Sequence, residues 1–191
     1  IIKIVEGYMD NILLKLKSVS SIMGFEEGAL LILVDEAESH QLSITCDRYM
    51  ARQLCLRMKH DSRAHKLLPE VLCRLLHLDD AETSSAYELI IYDIIEGEYK
   101  VLLVNNALNT CEKIRASDAI LLSLVSHIPL YVFKQIFEQQ STPYKAGSRD
   151  LALPLNALTD SMLKSALDMA VSKENYELAT HIRDEIKRRK I

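Results

Sequence analysis

Four polar residues stand at or close to the predicted starts of helices, and their types suit chemistry on a charged group. Arg115 and Asp118 lie in the run RASDAI, Asp47 directly follows the stretch QLSITC, and His65 opens a leucine-rich stretch. A carboxylate is a ligand for hard divalent cations, an arginine binds anions, and a histidine transfers protons near neutral pH. We therefore take these four residues as candidate catalytic residues, with Asp118 as the candidate metal ligand.

Each of the four also has an ordinary structural interpretation. Ser117 is a natural N-cap for the helix that follows it, Asp118 suits the first turn of that helix, and Arg115 can simply pair with Asp118. Asp47 is a good N-cap for the helix after it, and His65 suits a capping or half-buried position. The sequence leaves both interpretations open.

Hydrophobic periodicity predicts alternating blocks of strands and helices over residues 1–140. Strands are predicted at 11–20, 29–34, 41–46, 85–95, 99–104, 111–114 and 129–132, and helices at 47–59, 64–78, 117–126 and 133–139. A turn is predicted at 24–28. This order predicts an α+β domain in which helices pack on a mixed β-sheet.

The C-terminal part of the chain has a different organisation. Residues 141–156 contain Pro, Gly and small polar residues and are predicted to be a linker. Residues 157–191 carry two apolar stripes at helical spacing, at 159–171 and 176–190. The short connection between them predicts an antiparallel two-helix hairpin, and neither helix is long enough to be stable alone.

The composition is that of a globular protein, with 49% hydrophobic and 26% charged residues. No apolar run approaches the roughly 18 residues of a membrane span, so we expect no membrane association. The four cysteines form no C-x-x-C pair, which gives no support to a zinc ribbon and favours a reducing, cytoplasmic location. The net charge is −4, so any contact with nucleic acid must come from a local basic patch.

The second helix of the hairpin carries a specific residue pattern. Its members are Asn175, Tyr176, Glu177, Ala179, Ile182, Arg183, Asp184 and Ile186. The pattern resembles the UVR motif, which is best known from the B and C subunits of bacterial nucleotide-excision repair. The resemblance implies that the hairpin binds another UVR-containing protein or a second copy of this chain. The partner-binding residues would be Tyr176, Ala179, Ile182, Arg183 and Ile186. The alternative is a hairpin that packs on its own domain.

Residues 12–140 resemble the bifunctional nuclease family. The resemblance is carried by Leu42 and Ile44, by His65, by the run from Arg115 to Ile120, and by PLYV from Pro129 to Val132. It implies a bacterial, homodimeric nuclease that hydrolyses DNA and RNA with Mg or Mn and no organic cofactor. Asp118, Arg115, His65 and Asp47 would then supply the catalytic groups, with Asp118 on the metal.

The chain also departs from the family pattern. Where the family has L-P-I-x-I-G-x-x-E, this sequence has LSITCDRYM from Leu42 to Met50, which lacks the Glu at the start of the helix. Where the family has T-H-D, it has Ala64, His65 and Lys66. Because two acidic positions are replaced, a non-catalytic scaffold or interaction protein is the alternative function.

Overall fold

The computed structural model of the chain describes residues 11–22, 25–144, 155, 158 and 160–189. Within them the strands are β1 (Asn11–Ile22), β2 (Phe25–Val34), β3 (His40–Asp47), β4 (Tyr87–Ile95), β5 (Glu98–Asn105), β6 (Thr110–Arg115), β7 (Leu130–Phe133) and β8 (Thr142–Pro143). They form one sheet in the order β6-β5-β4-β7-β1-β2-β3-β8. The pair β4–β7 is parallel, while the other neighbours are antiparallel.

The helices among the described residues are α1 (Arg48–Met58), α2 (Leu68–Leu75), α3 (Ala81–Ser84), α4 (Ala116–Ser126), α5 (Lys134–Gln140), α6 (Asp160–Ser172) and α7 (Tyr176–Arg189), with a 3₁₀ helix at Ser62–Lys66. Helices α6 and α7 form the antiparallel hairpin. The α+β class with a mixed sheet and a C-terminal hairpin is thus confirmed.

The two faces of the sheet have separate apolar cores because successive strand residues point in opposite directions. Leu31 and Leu33 of β2 face the larger core, which also contains Leu54 of α1 and Ile120 of α4. Leu30 and Ile32 face the opposite way and pack in a second core with the hairpin. The hairpin therefore covers part of the sheet face that the other helices leave open.

The sheet curves around α4. Strand β3 lies five positions from β5 in the strand order, yet α4 contacts both β3 and the β5–β6 pair. Ile44 of β3 and Tyr99 of β5 also belong to the same core. The curvature brings the end of β3 towards the end of β6, and this approach creates the site described below.

Two predicted elements differ from the structure. The helix predicted at 64–78 is divided, because Leu67 is extended and Pro69 occupies the first turn of α2. A proline is compatible with a helix start but not with a helix interior. The turn predicted at 24–28 is also wrong in part: β2 already begins at Phe25 and pairs through Gly28, while Gly24 lies outside the described residues.

The start of the predicted linker belongs to the sheet. Thr142 and Pro143 form β8 and pair with Gln41 and His40 of β3. Residues 145–154 and 156, which make up most of that linker, lie outside the described residues, as do residues 1–10 of the predicted first domain.

Candidate functional site

A cleft of about 650 Å³ opens where β3 and β6 end and β5 begins. It is lined by residues of four regions: Gly28 and Ile44–Asp47 from β2 and β3, Gly97–Lys100 at the start of β5, Lys113–Ser117 across the β6–α4 junction, and Ser161 and Met162 of α6. Polar and charged side chains concentrate at the β6–α4 junction. This cleft contains two of the four predicted catalytic residues, Asp47 and Arg115.

Arg115 and Asp118 form an ion pair at the start of α4. The Arg115 Nε donates to Asp118 Oδ2 over 2.6 Å, and Nη2 donates to Oδ1 over 3.2 Å. The hydrogen bonds that Arg115 donates to Asp118 raise the pKa of the Arg115 guanidinium above its ordinary value, and the charge of Asp47 adds to the effect. The structure thus places Asp47, Arg115 and Asp118 in one electrostatic group.

The first turn of α4 has no side-chain cap from its N-cap residue. That residue is Arg115, and Ser117 lies inside the helix as a buried residue. The prediction that Ser117 caps the helix is therefore wrong, because α4 begins one residue earlier than expected. Unsatisfied N–H groups and the positive end of the helix dipole make such a terminus favourable for an anion.

Asp47 caps α1, as its position after β3 predicted. Its Oδ1 accepts a hydrogen bond of 2.7 Å from the backbone N–H of Met50. The neighbouring Cys46 is buried, and burial raises the pKa of its thiol to about 12. Cys46 is therefore a neutral thiol at physiological pH and not a nucleophile.

Two lysines complete the charge of the cleft. Lys100 of β5 lies directly opposite Arg115 in the strand register, and Lys113 points to the same face of β6 as Arg115. Lys100 pairs with Glu98 over 2.8 Å, whereas the exposed Lys113 has no ion-pair partner among the residues that the structure describes. Neither lysine was predicted from the sequence to be part of the site. The K-x-R spacing at 113–115 nevertheless places Lys113 and Arg115 on the same face of a strand.

His65 does not join this group. It lies in the 3₁₀ helix that follows the C-terminal end of α1, whereas Asp47 caps the N-terminal end of the same helix. A helix of this length spans about 16 Å. His65 is exposed and is not among the residues that line the cleft, so a role beside Arg115 has no geometric support.

The carboxylates of the cleft do not form a donor set that fits Mg or Mn. Both oxygens of Asp118 accept hydrogen bonds from Arg115, and one oxygen of Asp47 is used to cap α1. In the described part of the chain no three His, Cys, Asp or Glu side chains converge as a possible metal site. We therefore assign no step at this cleft to a metal.

The hairpin residues predicted to bind a partner divide into two groups. Ala179 and Ile182 are buried in the second core with Leu30 and Ile32 of β2, and Ile186 packs against that core. Ala179 is therefore inaccessible from outside, whereas the UVR resemblance implied that it contacts a partner. Tyr176 and Arg183 are exposed and remain accessible from outside.

Arg189 attaches the end of α7 to the segment before α6. Its Nη1 donates to the carbonyl of Leu158 and its Nη2 to that of Leu155, over 2.7 and 2.9 Å. It also pairs with Asp160, the first residue of α6. Because Ser161 and Met162 of α6 line the cleft, this attachment helps to position one wall of the site.

Comparison with known proteins defines the class to which this chain belongs. The model of the bifunctional nuclease domain matches residues 31–145, which is more than half of the chain and includes Asp47, Arg115 and Asp118. The chain therefore belongs to the bifunctional nuclease domain family. No curated protein matches it. The match ends before the hairpin, and no helix in the described part of the chain is long and apolar enough to cross a membrane.

Proposed function

We propose that this protein is a nuclease that binds and hydrolyses phosphodiester bonds of DNA or RNA in the cleft between β3 and β6. Membership of the bifunctional nuclease domain family supports the activity. The proposed position of the active site in this cleft rests on one observation. Asp47, Lys113 and Arg115 converge on the open N-terminus of α4. Cationic side chains and a helix N-terminus are the groups that hold a phosphate.

In this proposal each group has a separate role. Lys113 and Arg115 bind the phosphate oxygens, and the first N–H groups of α4 stabilise the charge that develops on them. To do so Arg115 shares its guanidinium between Asp118 and the substrate, so Asp118 positions Arg115. Asp47 keeps Oδ1 on α1 and uses Oδ2 to accept the proton of the attacking water. The water oxygen forms the new bond to phosphorus while the bond from phosphorus to the leaving sugar oxygen breaks, and the leaving oxygen takes up a proton from solvent.

The test is a cleavage assay with the purified full chain on labelled single- and double-stranded DNA and RNA. Each reaction is run with EDTA, with Mg²⁺ and with Mn²⁺. Arg115→Ala should lower the rate about 100-fold or more, which is the typical loss when one charge-stabilising donor is removed. Asp47→Asn should abolish cleavage while leaving substrate binding within about twofold, because the amide keeps the shape but loses the base.

The chain offers a matched control for the arginine. Arg63 is also an exposed arginine whose Nε and Nη2 donate to a nearby carboxylate, that of Asp61, but it does not line the cleft. Arg63→Ala should therefore cleave at the wild-type rate. Equal rates for Arg63→Ala and Arg115→Ala would remove the cleft from the mechanism.

A second candidate function is binding without cleavage. It is favoured by the involvement of both Asp118 oxygens and one Asp47 oxygen in structural hydrogen bonds. This function would make the protein a scaffold that uses the phosphate-binding groups of the cleft without cleavage. Binding that depends on Lys113 and Arg115, with no cleavage under any metal condition, would select it over the nuclease.

The resemblance to UVR hairpins adds a proposal about partners. We propose that the hairpin contacts another UVR-containing protein or a second copy through its exposed side, which includes Tyr176 and Arg183. Burial of Ala179 and Ile182 against β2 limits this contact to the side that faces away from the sheet. Val171 and Leu178 are further exposed apolar residues of the hairpin.

A further inference from the structure

Tyr49 is an exposed aromatic residue next to the cleft. It lies in the first turn of α1, two residues after Asp47, and it is 71% exposed. Because Asp47 both caps α1 and lines the cleft, this turn of the helix stands at the edge of the site. The apolar residues that α1 buries are Met50, Ala51 and Leu54. The packing of α1 therefore does not use the Tyr49 ring, which is accessible to a ligand of the cleft.

The exposed side of α1 is basic, although the whole chain has a net charge of −4. Residues 48–60 contain four Lys or Arg residues and no Asp or Glu. Arg48, Arg52 and Lys59 are exposed, and none of them forms an ion pair with an acidic side chain in the described part of the chain. Arg52 follows Tyr49 by three residues and Arg48 by four, so the ring lies beside two cations on one side of the helix.

Helix stability does not account for the position of Arg48. The N-terminus of a helix carries the positive end of its dipole, so a cation in the first turn is unfavourable. Arg48 nevertheless occupies the first turn of α1, which contains no acidic residue, and only the N-cap Asp47 offsets its charge. The arrangement becomes favourable when an anion lies beside this end of α1. A strand whose phosphate occupies the cleft supplies such an anion.

We propose that the exposed side of α1 binds the strand that continues from the cleft, and that Tyr49 stacks on one unpaired base of that strand. An aromatic ring beside cationic side chains is the combination by which proteins hold single-stranded nucleic acid. Stacking requires a base that is not enclosed in a duplex, so the ligand of this side is a single strand of DNA or RNA. Tyr49 is then a specificity-determining residue, whereas the cleft binds the phosphate. The inference rests on the proposed function, because the phosphate in the cleft determines which base reaches the ring.

The first test measures the Kd of the full chain for a short labelled single-stranded oligonucleotide by fluorescence anisotropy. All proteins carry Asp47→Asn, so that the strand is bound without being cleaved. Tyr49→Ala should raise the Kd about 5- to 150-fold, which is the loss of one stacked base, while Tyr49→Phe keeps the ring and should stay within about twofold. Leu108→Ala is the matched control and should not change the Kd, because Leu108 is also 71% exposed but lies between β5 and β6, at the opposite end of β6 from Arg115.

The second test asks whether Tyr49 contacts a base. Abasic sites in the oligonucleotide remove the stacking partner but keep every phosphate. The abasic strand should bind the chain with Tyr49 more weakly than the intact strand does, and Tyr49→Ala should then cause no further loss. An equal loss for Tyr49→Ala on intact and abasic strands, or no loss on either, would overturn the inference while sensitivity to Lys113→Ala leaves the cleft proposal standing. Binding that is insensitive to both Lys113→Ala and Arg115→Ala would overturn the proposed function and this inference with it.

Discussion

Arg57 and Glu70 form an ion pair that is shielded from water by α1 and α2. Their side chains are 5% and 11% exposed, and the charged atoms lie 2.7 Å apart. Arg57 also donates to the carbonyl and to the side-chain oxygen of Gln53. Removing one charge of such a pair leaves the other buried without compensation, which costs more than the pair contributes.

We therefore expect Glu70→Ala to lower the free energy of unfolding by about 3–5 kcal/mol. The double variant Arg57→Met/Glu70→Leu should recover most of this loss, because it removes both charges and fills the space with apolar atoms. Urea denaturation followed by circular dichroism measures both. Lys17→Ala breaks the exposed pair with Glu38 and should change the free energy of unfolding far less than Glu70→Ala does, because water screens this pair. A similar cost for Lys17→Ala and Glu70→Ala would refute this account.

The sequence predicts the role of a single residue well when that role depends on close neighbours in the chain. The capping role of Asp47 and the pairing of Arg115 with Asp118 depend on neighbours within three residues, so spacing alone predicts them. Lys100 joins the cleft through cross-strand register, which no local pattern shows. His65 lies in a separate 3₁₀ helix because Pro69 begins a new helix after it.

For helices and strands too, the sequence predicts the element itself but not the distant element that packs against it. Apolar stripes predicted α6 and α7 almost to the residue, and strand alternation predicted the β4–β5 hairpin. A stripe specifies that a face must be buried but not what buries it. Thus the stripe of α7 is buried against β2, whereas the leucine stripe of α2 is exposed.

Because the hairpin shares a core with β2, it should contribute to the stability of the sheet. Ile182→Ala should cost about 2–5 kcal/mol, since Ile182 is fully buried and the change leaves a cavity between α7 and β2. Tyr176→Asp, at an exposed position of the same helix, should change stability by less than about 0.5 kcal/mol. Thermal and urea denaturation of both variants provide the measurement.

A double-mutant cycle identifies the partner of that side chain. Ile32 and Ile182 belong to the same core, so Ile32→Ala combined with Ile182→Ala should be less destabilising than the sum of the two single changes, with a coupling of about 0.5–3 kcal/mol as for residues that share a cavity. Strict additivity, or unchanged stability of Ile182→Ala, would mean that the hairpin does not share a core with the sheet. Tyr176→Asp also tests the proposed partner contact, because it should reduce association without unfolding the chain.

The net charge of the whole molecule disfavours nucleic-acid binding, whereas the local charge of the cleft favours it. The net charge of −4 repels nucleic acid at long range, whereas the curved sheet collects Lys100, Lys113 and Arg115 at one cleft. The acidic composition was evident from the sequence. The collection of cations was not, because it depends on the register in which β5 pairs with β6 and which places Lys100 beside Arg115.

This opposition predicts a weak and limited dependence of nucleic-acid affinity on salt. If only three cations contact phosphates, log Kd against log salt concentration should have a slope of about 2–3, whereas a broadly basic surface gives a much steeper slope. Lys113→Ala should reduce the slope by about 1 and weaken binding equally for all sequences. Lys17→Ala removes a lysine that lies outside the cleft and should leave the slope unchanged.

Fluorescence anisotropy with a labelled oligonucleotide measures these slopes. The salt concentration is varied from about 25 to about 200 mM, a range over which the Debye length falls by more than half. A slope that Lys113→Ala leaves unaltered would show that the phosphate is bound elsewhere.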